Sequence, residues 1–244
     1  MRKYLWLLGL LILSCKETGI TEISFGVPKI EGVVLKYIVD QNQECEATVE
    51  IWGTELVPVV TVNKDTLNLI DSKIEDGFTY YTKWCKKVGL ADTYSLKVTY
   101  GKEANAVVAM PEEYKILSPL SDETLRKNED LVITWNKSKG ADYYELEVKI
   151  NYNYQVGFGP TRKGEFDTSL VLKDTTITFS SDVVFKDVLE DTGTLKGGEG
   201  KVTLRAVTGP YLGHTVEGNI EGEGQGYFWC KYQKEVDFKI ESEQ

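Results

Sequence analysis

The sequence predicts an all-β protein in which two tandem antiparallel β-sandwich domains follow an N-terminal targeting segment. Alternation of apolar and polar residues recurs many times along the chain, whereas stretches with the period of an amphipathic helix are nearly absent. Turn-forming residues separate the alternating stretches, as at 40–42, 63–65 and 101–102. With 244 residues and 41% hydrophobic content, the chain can form one large core or two modest ones.

The first segment of the chain has the composition of an export signal. Arg2 and Lys3 give it a positive start, and an apolar run follows from Tyr4 to Leu13. A membrane-spanning helix needs roughly 20 apolar residues, so this run is too short to be one. The segment is therefore excluded from the prediction of the fold.

The end of this apolar run resembles the lipobox of bacterial lipoproteins. Residues 12–15 read "ILSC", an aliphatic residue and two tolerated positions before a cysteine. The resemblance implies that residues 1–14 are a signal peptide and that Cys15 is lipidated, which anchors the protein to a membrane of the cell envelope. Lys16 stands where the family's inner-membrane retention signal has aspartate, so the outer membrane is expected where two are present. The alternative is a short apolar helix with an incidental cysteine.

Residues 15–29 are predicted to form a tether between the lipid and the first domain. At about 3.4 Å per residue it reaches at most roughly 50 Å. The chain carries a net charge of −10. Such a charge repels nucleic acid and anionic headgroups, so no nucleic-acid partner is expected and membrane contact is assigned to the lipid alone.

The first domain is predicted at 30–111, as an immunoglobulin-like sandwich of short strands. In the stretch 45–52, every second residue from Cys45 to Ile51 is apolar, so these residues share one face of a strand. The strands expected in this domain are 32–39, 45–52, 78–84, 94–100 and 104–110.

The second domain is predicted at 112–244. Its stretch "DLVITWNKSKGADYYELEVKI" (130–150) resembles the B and C strands of a fibronectin type III domain, with Trp135 ending the first strand and Tyr143 or Tyr144 in the second. The resemblance implies a fibronectin III-like sandwich, lengthened by insertions. Its later strands are expected at 175–179, 201–210 and 236–240.

Three cysteines follow Cys15, and an exported protein meets oxidising conditions in which they are expected to pair. A Cys45–Cys85 disulfide would close a loop of about 40 residues and stabilise the first domain by roughly 4 kcal/mol. Cys230 would then be a free thiol. The alternative is a Cys85–Cys230 bridge between the two domains.

No residue pattern predicts catalysis, and no metal or cofactor is expected. His214 is the single histidine of the chain and lies in a glycine-flanked turn, and no G-x-S-x-G motif accompanies it. No C-x2-C pair or calcium-loop motif is present. The sequence therefore favours a protein that is not an enzyme.

The stretch "ELEVKINYNYQVGF" (145–158) supplies the candidate binding residues. It is long for one strand, and it places Tyr152, Tyr154 and Phe158 on one face with four aliphatic residues. Exposed, the three rings would form an aromatic platform for sugar rings or a protein partner. Covered by a hairpin, they would be core residues.

Two functions are compatible with these features. One is a lipid-anchored, non-catalytic binding or adhesion module that recognises a protein or glycan. The other is a structural accessory subunit of an envelope assembly. An exposed aromatic strip would favour the first, whereas a long unpaired edge strand or an exposed Cys230 would favour the second.

Overall fold

The computed structural model describes residues 27–75, 78–211 and 217–243. The predicted signal peptide, the lipidation candidate Cys15 and most of the predicted tether lie outside the described residues, as does His214. The expectations for these positions remain predictions.

The described residues form an all-β structure, as the sequence predicts, with two short helices. The strands of the first half are β1 (Lys29–Val39), β2 (Asn42–Thr54), β3 (Val59–Val62), β4 (Asp65–Thr66), β5 (Asn68–Glu75), β6 (Phe78–Val88), β7 (Thr93–Thr99) and β8 (Glu103–Ala109). The second half contains β9 (Ile116–Ser118), β10 (Thr124–Leu125), β11 (Leu131–Trp135), β12 (Tyr143–Gln155), β13 (Thr161–Leu172), β14 (Thr176–Phe179), α1 (Ser181–Val184), α2 (Lys186–Glu190), β15 (Thr194–Thr208), β16 (Glu221–Gly222) and β17 (Gln225–Ser242).

One large sheet contains strands from both halves of the chain. Its order is β13-β12-β15-β17-β1-β2-β6-β5, and β10 also pairs with β17. Two smaller sheets have the orders β16-β8-β7-β3-β4 and β14-β11-β9. The β1–β17 and β10–β17 pairs are parallel, and the other strand pairs of the described residues are antiparallel.

The long strand β17 joins the two halves. Along one side it pairs with β15, from Cys230 opposite Thr208 onwards, and along the other side its first eight residues pair with β1. The units expected at 30–111 and 112–244 therefore share a sheet, where the sequence predicts two sandwiches in tandem. They also share one continuous cluster of buried apolar side chains.

Both smaller sheets cover the same face of the large sheet. The five-stranded sheet packs over β17, β1 and β2, where the Tyr94 hydroxyl donates to Sγ of Cys45 at 3.2 Å. The three-stranded sheet packs over β12 and β13, where Trp135 contacts Tyr144 with ring centroids 5.4 Å apart. Tyr144 is thus the tyrosine that packs against Trp135, while Tyr143 contacts Tyr211 in a separate small cluster.

Tyr114 packs against the large sheet just after the predicted domain boundary. It is fully buried, and its hydroxyl donates to the backbone carbonyls of Leu204 and Tyr232. These carbonyls belong to neighbouring strands of the large sheet. The segment that leads from one covering sheet to the other is therefore fastened to the sheet that both of them cover.

Candidate functional site: the β12–β13 hairpin

The predicted Cys45–Cys85 disulfide is wrong, because the two side chains lie on opposite faces of the large sheet. Cys45 faces the core opposite Val88, whereas Cys85 lies opposite Thr48, whose side chain points away from the core. Both thiols are free, as is Cys230.

Each thiol has its own environment. The Thr48 hydroxyl lies 3.7 Å from Sγ of partly exposed Cys85, and Sγ of Cys230 lies 3.6 Å from the backbone oxygen of Val108. Burial raises the pKa of both Cys45 and Cys230 above that of an ordinary thiol. Cys230 is fully buried in the core, so the alternative Cys85–Cys230 bridge is also absent.

Tyr152 and Tyr154 do not form the exposed aromatic platform considered above. Only 2% of Tyr152 and 6% of Tyr154 is exposed, because the two short helices cover them. Phe185, which links the helices, packs edge-on against the Tyr152 ring at 5.4 Å. The two tyrosines are core residues, the second of the alternatives that the sequence left open.

The tyrosine hydroxyls point to carboxylates of the second helix and its end. The Tyr154 hydroxyl donates to Asp191 at 2.9 Å, and Arg162 of β13 donates to the same carboxylate at 2.6 Å. The Tyr152 hydroxyl lies 3.5 Å from Oδ2 of Asp187. Burial and then the charge of Asp187 raise the pKa of Tyr152 to about 12. These carboxylates serve to hold the helices on the sheet.

A glycine makes room for this packing on the neighbouring strand. Gly164 of β13 lies opposite Tyr152, and a Cβ atom there would be 2.2 Å from the tyrosine ring. Any larger residue would displace the ring from its place under the helices. Strand β13, whose bounds the sequence did not predict, thus has a glycine where the Tyr152 ring of β12 needs space.

Phe158 remains as the exposed member of the three candidate binding residues. It lies in the turn between β12 and β13 and is fully exposed to solvent. The turn is ordered by its own hydrogen bonds: the Gly159 amide donates to the Val156 carbonyl at 3.0 Å, and the Gln155 side chain donates to the Gly159 carbonyl at 2.7 Å. A fixed turn therefore presents a large apolar ring to water.

This turn lies at the far end of the large sheet from the start of β1. Lys29 is level with Gln225, the first residue of β17. At the other end of β17, Ser242 pairs with Lys196 of β15. Two residues before Lys196 in β15, Thr194 pairs with Gln155, the last residue of β12. At about 3.3 Å per residue, the length of β17 separates the two ends by at most about 55 Å.

A polar groove of about 700 Å³ lies along the same hairpin. Its lining carries amide groups and charges of both signs. The polar residues that contribute to its lining are Asn151, Asn153, Lys163, Glu165, Asp187 and Glu199. Such a lining can form hydrogen bonds with a hydroxyl-rich or peptide ligand.

Within residues 27–75, 78–211 and 217–243, no group of three or more histidine, cysteine or acidic side chains is arranged to hold a metal ion. In that same part of the chain, no helix has the length and apolarity required to cross a membrane.

No protein-family model matches the chain, and no curated protein matches it. Among solved structures, it is weakly similar to the C-terminal globular domain of an oligosaccharyltransferase from Pyrococcus abyssi, with 10% sequence identity and a TM-score of 0.17. The match covers 90% of this chain and 50% of that chain, so the protein spans half the length of that structure. A similarity this weak supports no statement about fold or function.

Proposed function

We propose that the protein is a lipid-anchored component of the cell envelope that binds a protein or glycan without catalysis. The anchor is Cys15, attached to the outer membrane where the cell has two. The lipobox resemblance of residues 12–15 supports this part of the proposal. The net charge of −10 argues against nucleic acid as the partner.

The exposed ring of Phe158 is the observation that carries the binding function. Phe158 is a fully exposed phenylalanine in an ordered turn, and aromatic side chains are frequent anchors of binding interfaces. The polar groove along the same hairpin adds hydrogen-bonding groups. Because the turn is distant from the start of β1, a chain tethered at its N-terminus can hold Phe158 away from the membrane.

We also propose that the first half is an immunoglobulin-like sandwich and the second a fibronectin III-like one. The contact between Trp135 and Tyr144 supports it, since the fibronectin resemblance places a tryptophan at the end of one strand and a tyrosine in the next. In that case, the sheet that the halves share through β17 is a departure from two separate sandwiches in tandem.

A photocrosslinking residue in place of Phe158 tests the binding function on intact cells. We expect one discrete adduct, and the matched control at Val107, which is an exposed apolar residue on β8, should not form it. The captured partner, or the glycan bound on an array, should bind the Phe158→Ala protein about tenfold more weakly, as for a truncated interface anchor. Unchanged affinity, or the same adducts at both positions, would refute this role.

The anchor is tested in the same cells. The Cys15→Ala protein should incorporate no labelled palmitate and should be lost from the cell surface, where the crosslink forms. Palmitate labelling of that variant would reject the lipoprotein assignment.

A structural accessory subunit is the second candidate, and one observation favours it. Strand β5 ends the large sheet with apolar side chains in solvent, and open edges recruit partner strands. Cys230, which was expected to favour this function if exposed, is buried.

A further inference from the structure

Strand β5 is an edge strand that exposes three large aliphatic side chains. It pairs with β6 on one side and with no strand of the described residues on the other, and all eight of its residues are exposed. Leu69, Ile70 and Ile74 have 42%, 56% and 51% of their surface in solvent. Exposed apolar edge strands favour association with another strand.

The opposite edge of the same sheet, β13, is protected. Its inner face is partly buried, with Phe166 packed against Phe179 at 5.3 Å and the helices α1 and α2 lying against the strand. A run of charged residues follows its start, at Arg162, Lys163 and Glu165. Both edges carry charges, and covering elements are a further ordinary means of blocking an edge. Of the two edges of the large sheet, β13 is covered by other elements and β5 is not covered within the described residues.

The apolar side chains of β5 extend the core-facing side of the sheet. Leu69 pairs with Trp84, and Ile74 pairs with Thr79, both of which face the core. Between them, Asp71 and Lys73 lie opposite Lys83 and Tyr81 on the outer side. The strand therefore presents an apolar inner side and a charged outer side, and the inner side is uncovered.

We propose that β5 pairs antiparallel with β5 of a second copy of this chain, about a two-fold axis at Ser72. In this register each Asp71 lies opposite Lys73 of the other copy, and each Ile70 lies opposite Ile74 of the other copy. Both pairs occur twice because of the symmetry. The register with β6 shifts between Leu69 and Asp71 and again between Lys73 and Ile74, so the regular part of the pairing is short and centred on Ser72.

The charges, together with the bounds of β5, select this register. An axis at Asp71 would place the two Asp71 side chains together, and an axis at Lys73 would oppose the two lysines and set Asp71 against Glu75. An axis at Ile74 would also set Lys73 against Glu75, but it would use only the last three residues of β5. Axes between residues would bring no opposite charges together. Like charges directly opposite destabilise a strand pair, whereas opposite charges and aliphatic pairs stabilise it. A second copy of this strand is therefore a complementary occupant of the edge.

This interface is small, so we expect a reversible dimer whose population rises with protein concentration. The large sheets of the two copies become one continuous sheet. The two-fold axis relates each strand to its equivalent in the other copy, which runs in the opposite direction. The two Phe158 turns then lie at opposite ends of the dimer and remain accessible. The dimer is thus independent of the binding function proposed for Phe158.

Charge exchange tests the pairing with the full chain purified in detergent. By sedimentation velocity over a concentration series, Asp71→Lys and Lys73→Asp should each weaken the dimer by about tenfold or more, because each change creates two like-charge pairs. The double variant Asp71→Lys/Lys73→Asp should restore the dimer. Lys163→Asp on the protected edge changes the net charge as Lys73→Asp does and should have no effect. A monomer at every concentration, or a dimer that is insensitive to these changes, overturns the proposal.

Cysteine crosslinking tests the register in a Cys85→Ser background. Ser72→Cys should form a disulfide-linked dimer under mild oxidation, because residue 72 lies opposite itself and directly opposed strand positions have the Cα separation of a disulfide. Lys73→Cys should crosslink poorly alone and readily when mixed with Asp71→Cys. Equal crosslinking of Ser72→Cys and Lys73→Cys would contradict the axis at Ser72.

Discussion

Tyr152 shows how the surroundings of a residue decide its role. Sequence alternation correctly places Tyr152 and Tyr154 on one face of a strand, and period-2 patterning can show no more. Whether that face is covered depends on the helices α1 and α2, which are too short to produce a periodic signal. Phe158 follows the same alternation, but it lies beyond the end of β12, in the turn, and is exposed.

The prediction for Tyr152 concerns alkaline pH. The folded protein raises its pKa to about 12, against about 10 in an unfolded chain, so the folded state holds the proton more tightly. This contribution to stability is complete below about pH 10 and is lost as the pH rises through about 12. Tyr152→Phe removes the titration, so we expect a shallower fall in the free energy of unfolding between these values.

Urea denaturation at a series of pH values measures this fall. Tyr80→Phe, at an exposed ring on β6, is the control and should follow the parent protein. An unchanged slope in Tyr152→Phe would show that the hydroxyl is not protected by the fold.

The cysteines show that alternation along single strands cannot predict which residues lie opposite each other on neighbouring strands. Cys45 and Cys85 lie on the adjacent strands β2 and β6. The register places Cys85 opposite Thr48 and turns its side chain to the outer face. Since a shift of one residue exchanges the faces of a strand, the pairing depended on a register that the sequence does not contain.

At the level of the elements, the alternating strands were the ones predicted well. Strands β1, β2, β7, β8, β11 and β14 all fall close to their predicted positions. Strand β5 was missed because its residues are exposed on both faces and show no alternation. The bounds of β13 were not predicted, and its presence explains the length of β12, which pairs with it from Tyr144 to Gln155.

The helical cover over β12 can be tested at Phe185. This residue is fully buried and packs on Tyr152, so Phe185→Ala should reduce the free energy of unfolding by about 3–5 kcal/mol. Val183 lies in the same helical segment with more than half its surface exposed, and Val183→Ala should change stability by less than about 1 kcal/mol. Chemical denaturation of both variants measures the difference. Equal effects would mean that the helices do not close the core.

At the scale of the whole molecule, the two predicted sandwiches are joined by pairing between distant parts of the sequence. Strand β1 pairs with β17, which lies near the other end of the chain. Local patterns identify both strands but contain no information about which strands become neighbours. The predicted all-β class, which depends on local patterns, is therefore confirmed. The sharing of one sheet by the two halves depends on distant pairing and is seen only in the structure.

The shared sheet is the central claim, since the position of Phe158 relative to the start of β1 follows from it. Hydrogen exchange, measured by mass spectrometry at increasing denaturant, compares peptides from β2 and β6 with peptides from β12 and β15. We predict that both sets lose protection together, because β17 is part of the sheet on which each half depends. Loss of protection in one half while the other stays protected would contradict the account.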